Sequence, residues 1–303
     1  MDCQQGKGRV TSVIGGQANT ATRGRISVPE DIAPDAGKQI EQACASLGKE
    51  VGGRTVAQLS QAHEKANPPL DINIQADGFE AALRQKIRRP RGEILQEDYD
   101  RVGTIRASSA EGDTANLKDL RFVQKLRNLI GIKLMWQSIS DINPLASCPK
   151  LERVELFALE QLTSIRSIEG IKNLQFLLLR KMSRLKDPES TLIKLQSLKK
   201  LSIVDSHSIK SWQFVTNLAQ LPELTVPPTA DFPSIAKLKT LNFLKVFIGP
   251  SEELSDFMVF QNFQHLDKLW INFDRLPTTL SDDDLNKLKV MLPGVEIKVT
   301  GGK

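Results

Sequence analysis

Between Leu126 and Ile203 the apolar residues recur in one phrase, L-x-x-L-x-x-L-x-L. Its copies run through Leu126, Leu129, Ile132 and Leu134; Leu151, Val154 and Leu156; Leu174, Leu177 and Leu179; and Leu198, Leu201 and Ile203. The last apolar position moves from 134 to 156, 179 and 203, in steps of 22, 23 and 24 residues. The closing pair of each copy alternates with other residues, as a strand does, while the earlier positions fall three apart, as on a returning turn. So short a unit cannot bury its apolar face alone, whereas units stacked side by side share one continuous core. The pattern predicts a solenoid in which every unit gives one short strand to a parallel sheet. Less regular units follow, with strand pairs at Leu224/Val226, Leu244/Val246 and Leu269/Ile271, whose first members lie 20 and 25 residues apart. Val226-Pro227-Pro228-Thr229 predicts a distorted turn, because proline has no N–H for a ladder bond.

A solenoid needs both ends of its core covered. Before the repeats, Phe79, Leu83 and Ile87 lie one helical turn apart, with Ala82 beside them and Asp77 placed to cap them. Arg88-Arg89-Pro90-Arg91-Gly92 ends that helix, and the acidic turn Gln96–Asp100 leads to Val102 and Ile105, the first expected strand pair. After the repeats, Leu285, Leu288 and Met291 predict a helix with Asp282, Asp283 and Asp284 at its positive end, and Val295, Ile297 and Val299 a final strand. Residues 1–34 are rich in Gly, Pro, Ser and Thr and read as a loosely ordered leader. Residues 35–75 read as a short helical segment with few large apolar residues, and 76–303 as the repeat domain with its caps.

The stretch F-E-A-A-L-R-Q-K-I-R-R-P-R-G-E-I-L-Q-E-D-Y-D-R-V, together with I-S-D-I-N-P-L after a repeat strand, resembles bacterial internalin-like leucine-rich repeat proteins. The phosphatase-regulator type of roughly 22-residue repeat is a close cousin. The resemblance spans residues 76–300. It implies an α/β leucine-rich repeat solenoid, a curved parallel sheet between a helical N-terminal cap and a helix–strand C-terminal cap. It also implies a bacterial source and a protein partner. One feature departs from the family, whose repeats carry an inward asparagine after the strand. Those positions here hold Gln137, Leu159, Met182, Ser206, Thr229, Gly249 and Asp274. The turns must be satisfied otherwise, and irregular curvature with modest stability is expected.

Composition narrows the function classes. A net charge of +5 over 303 residues is too mild to point to nucleic acid. No apolar run reaches the ~18–20 residues of a membrane-spanning helix. Cys3, Cys44 and Cys148 are too scattered for a disulfide framework or a zinc site. Cys3 followed by Gln-Gln-Gly-Lys-Gly is compatible with a lipid anchor only if a signal peptide precedes this sequence. As written the chain reads as cytoplasmic, and as exported or lipidated if the N-terminus is truncated. His63, His207 and His265 form no catalytic pattern, and Asp205-Ser206-His207-Ser208 reads as an ordinary loop. There is no phosphate-binding glycine loop, no H-E-x-x-H and no C-x-x-C, and no cofactor is implied. Asp282–Asp284 reads as a helix cap rather than a cation site, and Arg84, Lys86, Arg88, Arg89 and Arg91 as a solvated face.

The remaining signal lies between the leucines. Alternation points the x positions of x-L-x-L-x away from the core, onto the concave face. Polar residues are expected there, yet Met135, Trp136, Phe157, Phe176, Leu178, Val204, Phe243, Phe247 and Trp270 occupy it, interleaved with Lys133, Arg153, Glu155, Arg180 and Lys245. Large apolar groups ringed by charge on an exposed sheet face fit a protein-binding surface. Two other readings stay open: the N-terminal segment folds back over this face, or the register is slipped by one residue. The expected function is a non-catalytic protein-recognition scaffold. The alternatives are a targeting module for an activity in residues 1–75, or a surface adhesin in which Trp136 and Trp270 stack on sugars.

Overall fold

The computed structural model describes residues 68–74, 78–109, 117–206, 208–249, 254, 256–274 and 280–301. The expected leader, the helical segment as far as residue 67, Asp77, Cys3, Cys44, His63 and His207 lie outside the described residues.

A single parallel sheet of ten strands, ordered as in the sequence, runs from β1 (Leu70–Ile74) through β2 (Val102–Ser108), β3 (Gly131–Met135), β4 (Arg153–Phe157) and β5 (Phe176–Arg180). It continues through β6 (Lys200–Val204), β7 (Glu223–Val226), β8 (Phe243–Ile248), β9 (Lys268–Phe273) and β10 (Glu296–Thr300). Every strand pair read from the sequence is a strand, and the register aligns the leucine columns. Ile132, Val154, Leu177 and Leu201 are successive partners, as are Leu134, Leu156, Leu179 and Ile203. All eight are at most 2 % exposed, so a register slipped by one residue is excluded. At about 1.5–3 kcal/mol for each buried aliphatic side chain, these columns are the main source of stability.

The return path on the other side of the core is made of single turns. Five-residue 3-10 helices at Arg121–Lys125, Asn143–Ser147 and Arg166–Gly170 are followed by the short helix α3 (Glu189–Leu192) and a further 3-10 turn at Gln213–Asn217. The helix α4 (Phe232–Ile235) and a turn at Phe257–Phe260 complete the series. Each contributes at least one fully buried anchor, among them Val123, Leu145, Ile168, Leu192, Val215 and Ile235.

The caps form as read, with one addition. Helix α1 (Gly78–Ile87) buries Phe79 and Leu83, and Phe79 stacks on Phe122 of the first turn at 4.4 Å. Helix α2 (Gln96–Asp100) buries Asp98, whose carboxylate accepts from Arg89 at 2.6 Å. Helix α5 (Asp282–Met291) is capped by Ser281, which accepts from the Asp284 N–H at 3.1 Å. The Ser281 hydroxyl donates to the Asp284 carboxylate and holds it below the usual range. The acidic triplet is therefore a helix cap. The addition is β1, which falls where a helical segment was expected to run to residue 75. Leu70-Asp71-Ile72-Asn73-Ile74 alternates, Ile72 and Ile74 are buried, and the strand pairs in parallel with β2. The sheet thus begins one strand before Val102. No described helix is long and apolar enough to cross a membrane.

Candidate functional site

The loss of the inward asparagine is made good locally. Buried Gln137 donates to the Met135 carbonyl and the Ser109 hydroxyl, both at 2.8 Å, and accepts from the Leu117 N–H. Ser206 accepts from the Met182 N–H at 3.3 Å and donates to the Val204 carbonyl. Between them, Leu159 and Met182 simply fill the space with hydrocarbon. This framework fixes where the residues just before each turn project.

Opposite the leucines, two clusters meet at Arg180. In the first, Trp136 packs on Phe157 with centroids 4.5 Å apart, and the Arg180 guanidinium lies 5.2 Å from the Phe157 ring. Beside them Glu155 takes Arg153 at 2.6 Å and Lys133 at 3.2 Å, and Arg153 also covers the Phe176 ring at 4.1 Å. In the second, Phe243 and Trp270 stack nearly parallel across β8 and β9, 6.5 Å apart. Lys245 sits 3.9 Å from the centre of the Trp270 ring, and Lys298 approaches the same ring at 4.5 Å. The Trp270 indole N–H donates to Thr300 on β10 at 2.8 Å.

Arg180 ties β5 to the far end of the sheet. Its guanidinium reaches Asp205 at 3.0 Å, Asp274 at 2.8 Å and the Phe247 ring at 4.7 Å. In a flat sheet β5 and β9 would stand about 19 Å apart, four spacings of roughly 4.8 Å. A direct ion pair across that span requires the face to curl tightly over β6, β7 and β8. The curl leaves a pocket of about 290 Å³. Phe176, Leu178, Arg180, Lys200, Val204, Glu223, Phe243, Lys245, Phe247 and Trp270 line it, together with Ser202, Leu224 and Thr225.

All thirteen residues singled out from the sequence (Lys133, Met135, Trp136, Arg153, Glu155, Phe157, Phe176, Leu178, Arg180, Phe243, Lys245, Phe247 and Trp270) lie on this side of the sheet or at its rim. The expectation that they face solvent freely needs correction. Phe176, Glu155 and Phe247 are only 9 %, 8 % and 8 % exposed, and Val204 is buried too. The inward curl and the cations laid over the rings cover them. Arg153 stands out in solvent, while Lys133, Met135, Trp136, Phe157, Leu178, Arg180, Phe243, Lys245 and Trp270 are half-buried.

Sequence reasoning missed Asp205, Asp274, Lys298 and Thr300 as members of this face. Lys298 was accessible to it, since Ile297 and Val299 alternate around it and place it in the row of Lys245 and Trp270. Asp274 was not, because its contact depends on the curl.

The charges are unevenly compensated. Lys200 has Glu223 at 2.7 Å and Arg180 has its two aspartates. Among the described residues no carboxylate lies within ion-pair distance of Lys245 or Lys298. Burial pulls the Lys245 ammonium below its ordinary value, and the neighbouring charges of Lys200, Arg180 and Lys298 add to this against a smaller opposing pull from Asp274. Elsewhere, burial pushes the Cys148 thiol up to about 11, which leaves it protonated and a poor nucleophile at neutral pH. Among the described residues no group of His, Cys, Asp and Glu is arranged to hold a metal ion.

No family model matches the sequence, and no curated protein matches it. Solved structures do match. Internalin C2 from Listeria monocytogenes is 20 % identical over 72 % of this chain and 90 % of its own, with a TM-score of 0.51. A second internalin of that organism is 16 % identical, over 73 % of this chain and 89 % of its own, with a TM-score of 0.39. A leucine-rich repeat protein of Leptospira interrogans is 13 % identical, over 68 % of this chain and 57 % of its own, with a TM-score of 0.38.

Proposed function

With an internalin-like leucine-rich repeat fold as the premise, we propose that the chain is a non-catalytic protein-recognition scaffold whose partner docks on the concave face between residues 131 and 273. The observation that carries this reading is the pairing of half-buried aromatic rings with unequally compensated charge on the side of the sheet away from the core. Trp136, Phe157 and Trp270 are of the type that supplies most binding energy at interfaces, and Arg153, Lys133 and Arg180 surround them as a polar rim does. Sugar stacking is the weaker account of the tryptophans, because the Trp270 ring already has two ammonium groups and Phe243 against it.

Pull-down from a lysate of the source organism, run beside a glycan array, tests the proposal. Wild type should retain a discrete protein band that Phe157→Ala and Trp270→Ala both lose. Val290→Ala on α5, at a side chain 82 % exposed and remote from this face, should leave it intact. Normal capture by both aromatic variants, or a specific glycan hit, would overturn the proposal. Both aromatic residues are half-buried, so each variant is first checked by thermal unfolding and used only if its transition remains cooperative.

A further inference from the structure

Among the described residues that line the pocket, Lys245 is the cation without an ion-pair partner. Its neighbours are the Trp270 ring at 3.9 Å and the Phe247 ring at 5.6 Å, and no described carboxylate is within ion-pair distance. Lys298 stands in register on the other side of Trp270. Holding a half-buried ammonium against hydrocarbon and beside other cations costs folding energy, which a fold without use for the charge would shed by placing an apolar residue there. The fold does neutralise its other pocket cations, pairing Lys200 with Glu223 and Arg180 with Asp205 and Asp274.

We infer that this pocket receives an aspartate or glutamate side chain from an extended segment of the protein partner. Its carboxylate would be held by Lys245 while the flanking residues pack on Trp270 and Phe243. The inference rests on the concave-face reading above and adds the chemistry of what enters. A volume of about 290 Å³ accommodates a side chain and its neighbouring backbone. On the same face Glu155, Asp205, Glu223 and Asp274 offset the other cations, which leaves no continuous positive track for the repeating charge of a nucleic acid. A single carboxylate delivered to the Lys245 corner meets the positive excess and avoids them. Excluded from water by the aromatic walls, such a pair gains strength relative to one on an open surface.

A displayed library of random linear peptides, panned on the full-length chain, tests this directly. Enriched peptides should carry Asp or Glu beside an apolar or aromatic residue. Their affinity should fall roughly 10- to 100-fold on Lys245→Met, with Lys245→Arg keeping most of it. Enrichment of peptides without acidic residues, equal binding to Lys245→Met, or no enrichment at all overturns the inference. The first two outcomes are told apart from failure of the concave-face reading by Phe157→Ala and Trp270→Ala. If these still abolish binding, the face is right and the carboxylate is wrong. If no substitution on the face matters, both are wrong. Lys245→Met keeps an unbranched, slightly shorter side chain without the charge, and a cooperative thermal transition of the variant keeps loss of folding from mimicking the expected result.

Discussion

The residue following each of strands β3 to β6 adopts the left-handed backbone region: Trp136, Ala158, Lys181 and Asp205 have φ of 52, 51, 52 and 50°. The residue following β7, Pro227, cannot, because its ring holds φ at about −65°. In the first region the N–H of the first three such residues donates to the last carbonyl of the next strand. Trp136 reaches Phe157, Ala158 reaches Arg180 and Lys181 reaches Val204, at 2.9–3.1 Å. That series stops at the unit whose strand runs into Pro227, where β6 and β7 share only three registered pairs. Turns of one backbone type, three of them closed by the same bond, give a uniform stack. Once the turns cease to repeat, the chain curls, Arg180 closes on Asp274, and the pocket forms. Repetition in this molecule builds stability, and its loss builds the concavity.

The largest effect that can break this comparison comes from the leucine columns. Leu177→Ala, in the regular region and fully buried, should cost about 3–5 kcal/mol, because close neighbours on both sides prevent the cavity from collapsing. Leu224→Ala removes the equivalent core side chain where β6 and β7 share only three registered pairs and the surroundings can relax further, and should cost about 2–3 kcal/mol. Urea unfolding measures both, and equal losses would mean that the two regions are packed alike. Arg180→Met comes next. It leaves Asp205 and Asp274 without their shared partner at a side chain only 27 % exposed, and should cost about 1–3 kcal/mol. Amide hydrogen exchange should quicken in β8 and β9 and stay unchanged in β3 and β4. A uniform change along the sheet would show that the bridge reports on the curl without maintaining it.

The two regions also differ in how far they could be read from sequence. The columns from Leu134 to Ile203 were legible because period and alternation are local properties, and eight residues at most 2 % exposed follow them without exception. Strand β1 was not read, since five alternating residues after Pro68-Pro69 carry no repeat phrase to mark them. The candidate face was legible as a set of positions, from Lys133 to Trp270. Its exposure was misjudged, because the burial of Phe176 and Phe247 depends on how sharply the sheet bends. The pair Arg180–Asp274 is 94 residues apart and arises only when several unrepeated turns add their rotations. Nothing in the repeat phrase encodes that sum.

Smaller effects sharpen the contrast by sign. Lys245→Met should raise the unfolding free energy by up to about 1 kcal/mol, since it removes a half-buried cation set beside other cations. The pH dependence has a definite sign. The folded state holds Lys245 below its ordinary pKa, so the unfolded chain binds more protons in the window between the two values. Wild-type stability should therefore gain on the variant as pH rises through that window, and the difference between them should narrow. A Met variant that is less stable than wild type at neutral pH would show the charge to be structural.

The smallest change belongs to the regular region. Lys181 is exposed and left-handed, a conformation that costs a lysine more than an asparagine, whose short side chain bonds locally to its own backbone. The chain already places Asp205 at the equivalent position one unit later. Lys181→Asn should therefore stabilise by a few tenths of a kcal/mol, after allowing for the distant approach of the Lys181 ammonium to Phe157 at 5.8 Å. No gain is expected for Asp274→Asn, where the carboxylate is needed by Arg180. A gain at residue 181 with a loss at residue 274, read from the shift in urea midpoint, would tie the stability of the first region to its repeated turn and that of the second to its one long-range ion pair.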